Sequence, residues 1–181
     1  LLALSERIAR GAALDSSLPN LLLPGGPSGL VRGPEHRENL ALLPCPDFTD
    51  LDLESYLLPE AVLPLLISRG CYWGRCAFCG HHQSYGRRFR VRPRERLTAD
   101  LATLAARHHS RCLYLVDEAL PPRSLKLLAR EAPALGFRWF GDLRLEPWLS
   151  PTLLAELARG GCRLLIFGLE HQDTIARLRV K

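Results

Sequence analysis

The stretch Cys112-Leu-Tyr-Leu-Val-Asp-Glu-Ala-Leu-Pro-Pro122 carries the reading of the fold. An apolar run ends in two carboxylates, and two prolines then stand where a helix would open, a position at which a missing N–H costs nothing. The same order of apolar run, polar loop and helical segment recurs on both sides of it. The other runs are Pro64 to Ser68, Phe137 to Phe140 and Cys162 to Phe167, beside Cys112 to Val116 itself. Helical segments are expected at about Arg94 to His109, Pro121 to Ala132 and Ser150 to Arg159, the last opening near Pro151. Gly136, Gly160 and Gly161 follow helix ends, where left-handed caps are expected. Alternation of this kind encodes a parallel α/β sheet. We read about four βα units, the fourth cut off in its helix near Lys181.

The polar residues fall at one end of these units. Cys71, Cys76 and Cys79 follow the first run, Asp117 and Glu118 end the second, Asp142 and Arg144 follow the third, and Glu170 closes the fourth. In a parallel α/β sheet the loops at the carboxyl ends of the strands converge on a ligand.

Length and composition bound the rest. The chain has 181 residues, enough for one domain or parts of two, and its 47% hydrophobic and 24% charged residues fit a globular protein. No apolar stretch approaches the ~20 residues of a membrane span. No secretory signal is visible, so a cytoplasmic location is expected, with no membrane partner. Residues 1–46 read as the end of a preceding domain plus a linker: Leu1 to Arg10 resemble the last turns of an amphipathic helix, and Gly11 to about Pro46 is punctuated by Pro and Gly. Residues 47–181 form the second domain, with room for a short helix between Asp47 and Leu63. The absence of any methionine leads us to expect a piece of a longer protein, incomplete as an enzyme and poorly soluble alone, because the apolar fourth run leaves an open sheet edge.

The formal charge of +5 admits anionic partners without requiring them. Much of the excess lies in Arg87, Arg88, Arg90, Arg92, Arg94 and Arg96. Aromatic residues interleave this run only at Tyr85 and Phe89, so it reads as a solvated face, and nucleic acid is not the favoured partner.

The segment Ser68-Arg-Gly-Cys-Tyr-Trp-Gly-Arg-Cys-Ala-Phe-Cys79 places three thiols in one short loop. Such a trio can hold an iron-sulfur cluster with one iron left open, and an open iron suggests that a substrate or cofactor binds there. The competing reading is a zinc site completed by His81 or His82, in a non-catalytic α/β module that contacts RNA or another anion through the arginine run. Iron with sulfide or one zinc per chain would separate the two. Cys45, Cys112 and Cys162 read as small buried apolar residues.

These residues resemble the radical S-adenosylmethionine superfamily, in particular its cobalamin-associated branch, over about Asp47 to Lys181. The resemblance rests on Ser68-Arg-Gly-Cys71, Phe78 before the third cysteine, Val116-Asp-Glu118 and Gly168-Leu-Glu170. It implies a partial (β/α) barrel, a [4Fe-4S] cluster on Cys71, Cys76 and Cys79, and S-adenosylmethionine chelated at the open iron and cleaved to a 5'-deoxyadenosyl radical. Four residues separate the first two cysteines, where three are commonest in the family. By the same resemblance Phe78, Asp117, Glu118, Arg144, Gly168 and Glu170 contact the cofactor. Asp117 and Glu118 take the methionine ammonium, Arg144 its carboxylate and Glu170 the ribose hydroxyls. Simpler roles are that Glu118 complements the helix opening at Pro121 and that Arg144 pairs with Glu146 or Asp142. The implied partners are an electron donor such as flavodoxin or ferredoxin and a small-molecule or peptide substrate, with cobalamin possible in a full-length protein.

Overall fold

The computed structural model describes residues 2–81, 88–173 and 175. The chain divides into two compact units, Leu1–Asn39 and Leu40–Lys181.

The first unit holds helix α1 (Leu2–Ala9) and an antiparallel hairpin of β1 (Leu22–Pro24) and β2 (Leu30–Arg32). The hairpin lies in the stretch that reads as linker. Its strands are too short to show an alternating pattern, and its turn depends on Gly25, Gly26 and Gly29, all at positive φ.

The second unit carries β3 (Val62–Leu65), β4 (Ser68–Arg69), β5 (Arg90–Val91), α2 (Arg94–Arg107), β6 (Cys112–Leu115), α3 (Pro122–Glu131), β7 (Arg138–Arg144), α4 (Pro151–Arg159) and β8 (Cys162–Gly168). Strands β3, β6, β7 and β8 form one parallel sheet in that order, so strand order follows chain order. Period-two alternation places Leu113 and Leu115 of β6, and Trp139, Gly141 and Leu143 of β7, on one buried face. The helices meet it with stripes at helical spacing: Leu97, Leu101 and Leu104 from α2, Leu125 and Leu128 from α3, Leu153 and Leu157 from α4. Burying each such leucine contributes roughly 1.5–3 kcal/mol, which is what holds the helices to the sheet. On the opposite face the rings of Tyr114 and Phe140 stack with centroids 4.9 Å apart.

Several elements differ from the sequence reading. The run Pro64 to Ser68 splits: Val62–Leu65 joins the parallel sheet, while Ser68–Arg69 pairs antiparallel with Arg90–Val91. Pro64 is tolerated because β3 is an edge strand of its sheet. Strand β7 continues four residues past Phe140, since Asp142 and Arg144 alternate with the buried Gly141 and Leu143. The helix expected between Asp47 and Leu63 is one 3-10 turn, Leu53–Ser55. Helix α4 opens on Ser150, whose hydroxyl accepts from Leu153 N–H at 3.2 Å.

Gly160 is not a left-handed cap. Its φ is −78°, and Gly161 takes the positive φ of 91°. Gly160 is required by close approach instead, because a Cβ there would lie 2.3 Å from Ala129 Cβ. The arginine run is not uniformly solvated either. Arg92 is only 5% exposed, is paired through Nε with Asp100, and donates from Nη2 to Leu43 O and Pro44 O, both at 3.0 Å. Arg87 and Tyr85 of that run, and His82, lie outside the described residues.

Cys162 is buried and Cys45 and Cys112 are half-buried. Burial pushes all three thiols up, Cys162 to about 11, so they stay neutral. Leu164, Ile166 and Phe167 of β8 are exposed. Among the described residues no helix is long and apolar enough to cross a membrane.

Candidate cofactor site

The cysteine loop is rooted on the sheet by Asp117. Its carboxylate accepts from Ile67 N–H at 3.1 Å, from Ser68 N–H, and from the Ser68 hydroxyl at 2.5 Å. Asp117 is 3% exposed, and burial pushes its carboxyl up to about 6 against the pull of these donors, with the neighbouring Glu118 charge adding to the rise. The β4–β5 pair then closes the base of the loop that carries the three thiols.

The end of β7 holds the loop from the side. Arg144 Nε donates to Glu146 Oε1 at 2.6 Å, and the Tyr72 hydroxyl donates to the same oxygen at 3.3 Å. The guanidinium lies 4.2 Å from the centroid of the Trp73 ring, and its Nη1 is 3.9 Å from Cys76 Sγ. Burial pushes Tyr72 up to about 12, with the Glu146 charge adding, so it remains a donor. Burial opposes the charge on Arg144, but the hydrogen bond and charge of Glu146 outweigh it and hold the guanidinium further up.

A cavity of about 190 Å³ opens between the loop and the strand ends. Cys71, Cys76, Phe78, Cys79 and His81 line it from the loop, Glu118, Asp142 and Arg144 from the ends of β6 and β7, and Ile166, Gly168 and Glu170 from β8 and the residues after it. Glu118 Oε2 is buried without a hydrogen-bond partner among the described residues. Glu170 adopts φ 66°, in the left-handed region that a non-glycine residue enters at a cost of about 1 kcal/mol. Phe78 is 58% exposed. Two larger hollows, of about 800 and 700 Å³, lie around Cys45 and His108, away from the three thiols.

The structure thus brings together every sequence-predicted site residue except Asp117, which does not line the cavity and acts on the backbone beneath it. Sequence reasoning left Tyr72 and Trp73 unassigned and offered Glu146 and Asp142 only as alternative partners of Arg144, of which Glu146 is the one observed. Asp142 lines the cavity and accepts from the Tyr114 hydroxyl at 2.8 Å, a bond that pushes the phenol up. Tyr72, through Glu146, and Trp73, through Arg144, join the loop to the end of β7, and Glu146 accepts from both Arg144 and Tyr72. The aromatic pair between the first two cysteines was the available signal. Among the described residues no three His, Cys, Asp or Glu side chains converge closely enough to hold a single metal ion.

No protein-family model matches the chain. An uncharacterized methyltransferase of Pyrococcus horikoshii is 25% identical over 153 residues, covering 79% of this chain and 32% of the relative. The chain spans about a third of that relative's length. Among solved structures it is similar to the cobalamin-dependent S-adenosylmethionine radical enzyme OxsB, determined with aqua-cobalamin and S-adenosylmethionine bound. The TM-score is 0.71 at 17% identity, over 99% of this chain and 28% of that one. The two share a fold.

Proposed function

We propose that residues 47–181 are the N-terminal part of a radical S-adenosylmethionine core barrel that binds a [4Fe-4S] cluster through Cys71, Cys76 and Cys79, with S-adenosylmethionine beside it. The observation that carries this reading is Glu118 Oε2, buried and without a hydrogen-bond partner among the described residues, in a cavity walled by three thiols. A buried acceptor without a donor costs about 1–3 kcal/mol, so the cavity suits a ligand that brings one, such as the methionine ammonium. The donor set fits too: three thiols line one cavity, and cysteine thiolates are the ligands that hold iron-sulfur clusters. Strand order that follows chain order supports a barrel segment over a doubly wound sheet, in which the order reverses.

Arg144 matches the methionine carboxylate by charge, though its Nε is already donated to Glu146. Glu170 is assigned the ribose hydroxyls, with Gly168 and Phe78 completing the cofactor contacts. Asp117 serves the site indirectly by fixing Ile67 and Ser68. When bound, the cluster supplies the electron that splits S-adenosylmethionine into methionine and a 5'-deoxyadenosyl radical. The electron comes from a flavodoxin or ferredoxin, and the hydrogen donor is a small-molecule or peptide substrate. The names of the relative and of the structural neighbour support a cobalamin-dependent methyltransferase-like or rearranging enzyme as the full-length protein, with cobalamin held outside this chain.

Anaerobic reconstitution with iron and sulfide tests the reading. We expect about four irons per chain, broad brown absorbance and a paramagnetic resonance spectrum that changes with S-adenosylmethionine. Cys71→Ala, Cys76→Ala and Cys79→Ala should each lose iron, while Cys45→Ala, Cys112→Ala and Cys162→Ala keep it. One zinc per chain without sulfide, or a spectrum indifferent to the cofactor, would overturn it.

A further inference from the structure

We infer that Arg144 is a positioning residue for the cysteine loop, and that its guanidinium sets the charge environment of the Cys76 sulfur, a role separate from any contact with the cofactor carboxylate. The inference rests on the reading that Cys76 is a cluster ligand. Four contacts converge on this one side chain and its partner. Glu146 holds the guanidinium through Nε, the guanidinium carbon lies 4.2 Å from the Trp73 ring centroid, Nη1 reaches towards Cys76 Sγ, and Glu146 also receives the Tyr72 hydroxyl. Arg144 and Glu146 side chains are each only 15% exposed, so solvent screens the pair little.

These contacts do what the root of the loop cannot. Asp117 and the β4–β5 pair fix the ends of the loop, at Ser68 and Val91, whereas the three cysteines lie between those ends. The β7 clamp grips the middle, at Tyr72, Trp73 and Cys76. A guanidinium suits this place because its rigid fork donates from Nε and Nη1 in two fixed directions beside the Trp73 ring, whereas an ammonium on a flexible stem is less well held. A cationic N–H beside a cysteine sulfur favours the more negatively charged, reduced form of a cluster, and hydrogen bonds to such sulfurs tune its potential.

The test compares the parent chain with Arg144→Gln and Arg144→Lys in two ways. In the metal-free chain, amide hydrogen exchange across residues 71–79 should quicken by about tenfold or more in Arg144→Gln, while Ile67 and Ser68, held by Asp117, stay protected. In the reconstituted chain without S-adenosylmethionine, the midpoint potential of the cluster should fall in Arg144→Gln at undiminished iron content, with Arg144→Lys between the two because it keeps charge and loses the fork. Unchanged exchange over 71–79 overturns the clamp. An unchanged potential, with only the affinity for S-adenosylmethionine reduced, overturns the charge role and leaves Arg144 a plain carboxylate contact. If the parent itself takes up no iron and sulfide, the proposed function fails, and the exchange measurement still decides whether Arg144 holds the loop.

Discussion

The Asp117 carboxylate, at the end of β6, accepts both the backbone N–H and the hydroxyl of Ser68, 49 residues earlier in the chain. The bond ties the end of the second sheet strand to the root of the cysteine loop. Asp117, which by resemblance reads as a cofactor contact, is held in this structure by Ile67 and Ser68, on the segment that carries the thiols.

Stability should depend on pH through Asp117. Its carboxyl is raised from 3.8 to about 6 in the folded chain, so the folded state binds the proton more tightly than the unfolded one. Its contribution is fully present below about pH 4 and is lost as pH rises through 6, amounting to about 3 kcal/mol at most. Urea unfolding of the parent and of Asp117→Asn between pH 4 and 7.5 should give curves that differ in slope over this window. Parallel curves would sink the assignment.

Glu118→Gln should weaken S-adenosylmethionine binding to the reconstituted chain by about 10- to 100-fold, the worth of one charge-assisted hydrogen bond. Iron content should stay at the parent level, since Glu118 is not one of the thiols. Calorimetric titration checks it, and unaltered affinity would remove Glu118 from the cofactor contacts.

Gly160→Ala should destabilise the second unit by about 3 kcal/mol through overpacking. The new methyl would sit 2.3 Å from Ala129 Cβ and 2.6 Å from Ala129 O, and the native φ of −78° offers no relief of strain in return. Adding Ala129→Gly should recover part of the loss in a double-mutant cycle, because the Cβ, one of the three Ala129 atoms that the new methyl meets, is then gone.

Trp139→Phe should cost about 2 kcal/mol. The indole N–H donates to Gly160 O at 2.8 Å inside the core, and phenylalanine leaves that carbonyl without its donor. Thermal unfolding followed by circular dichroism measures it, and a melting temperature equal to the parent's would show that the bond contributes nothing.

Much of the sheet was legible because its code is local. Leu113 and Leu115, or Leu97, Leu101 and Leu104, announce their elements by spacing alone, since a buried strand face repeats every two residues and a buried helix stripe about every 3.6. Polar residues were harder. Asp142 and Arg144 read as following a strand, yet they lie within β7, because a strand with one open face accepts charge at every second position.

The sequence by itself determined the parallel α/β repeat, the three thiols in one loop and the strand ends that carry Glu118, Arg144 and Glu170, because periodicity, turn chemistry and close spacing all act between near neighbours. Only the tertiary structure decided which of these residues share a cavity and which serve its support. Asp117 meets Ser68, Arg92 meets Asp100 beneath the surface, Arg144 meets Trp73 and Cys76, and Gly160 makes room for Ala129. Such contacts depend on the register between strands and on how closely helices approach, and both are set by packing of the whole core rather than by any local stretch of chain.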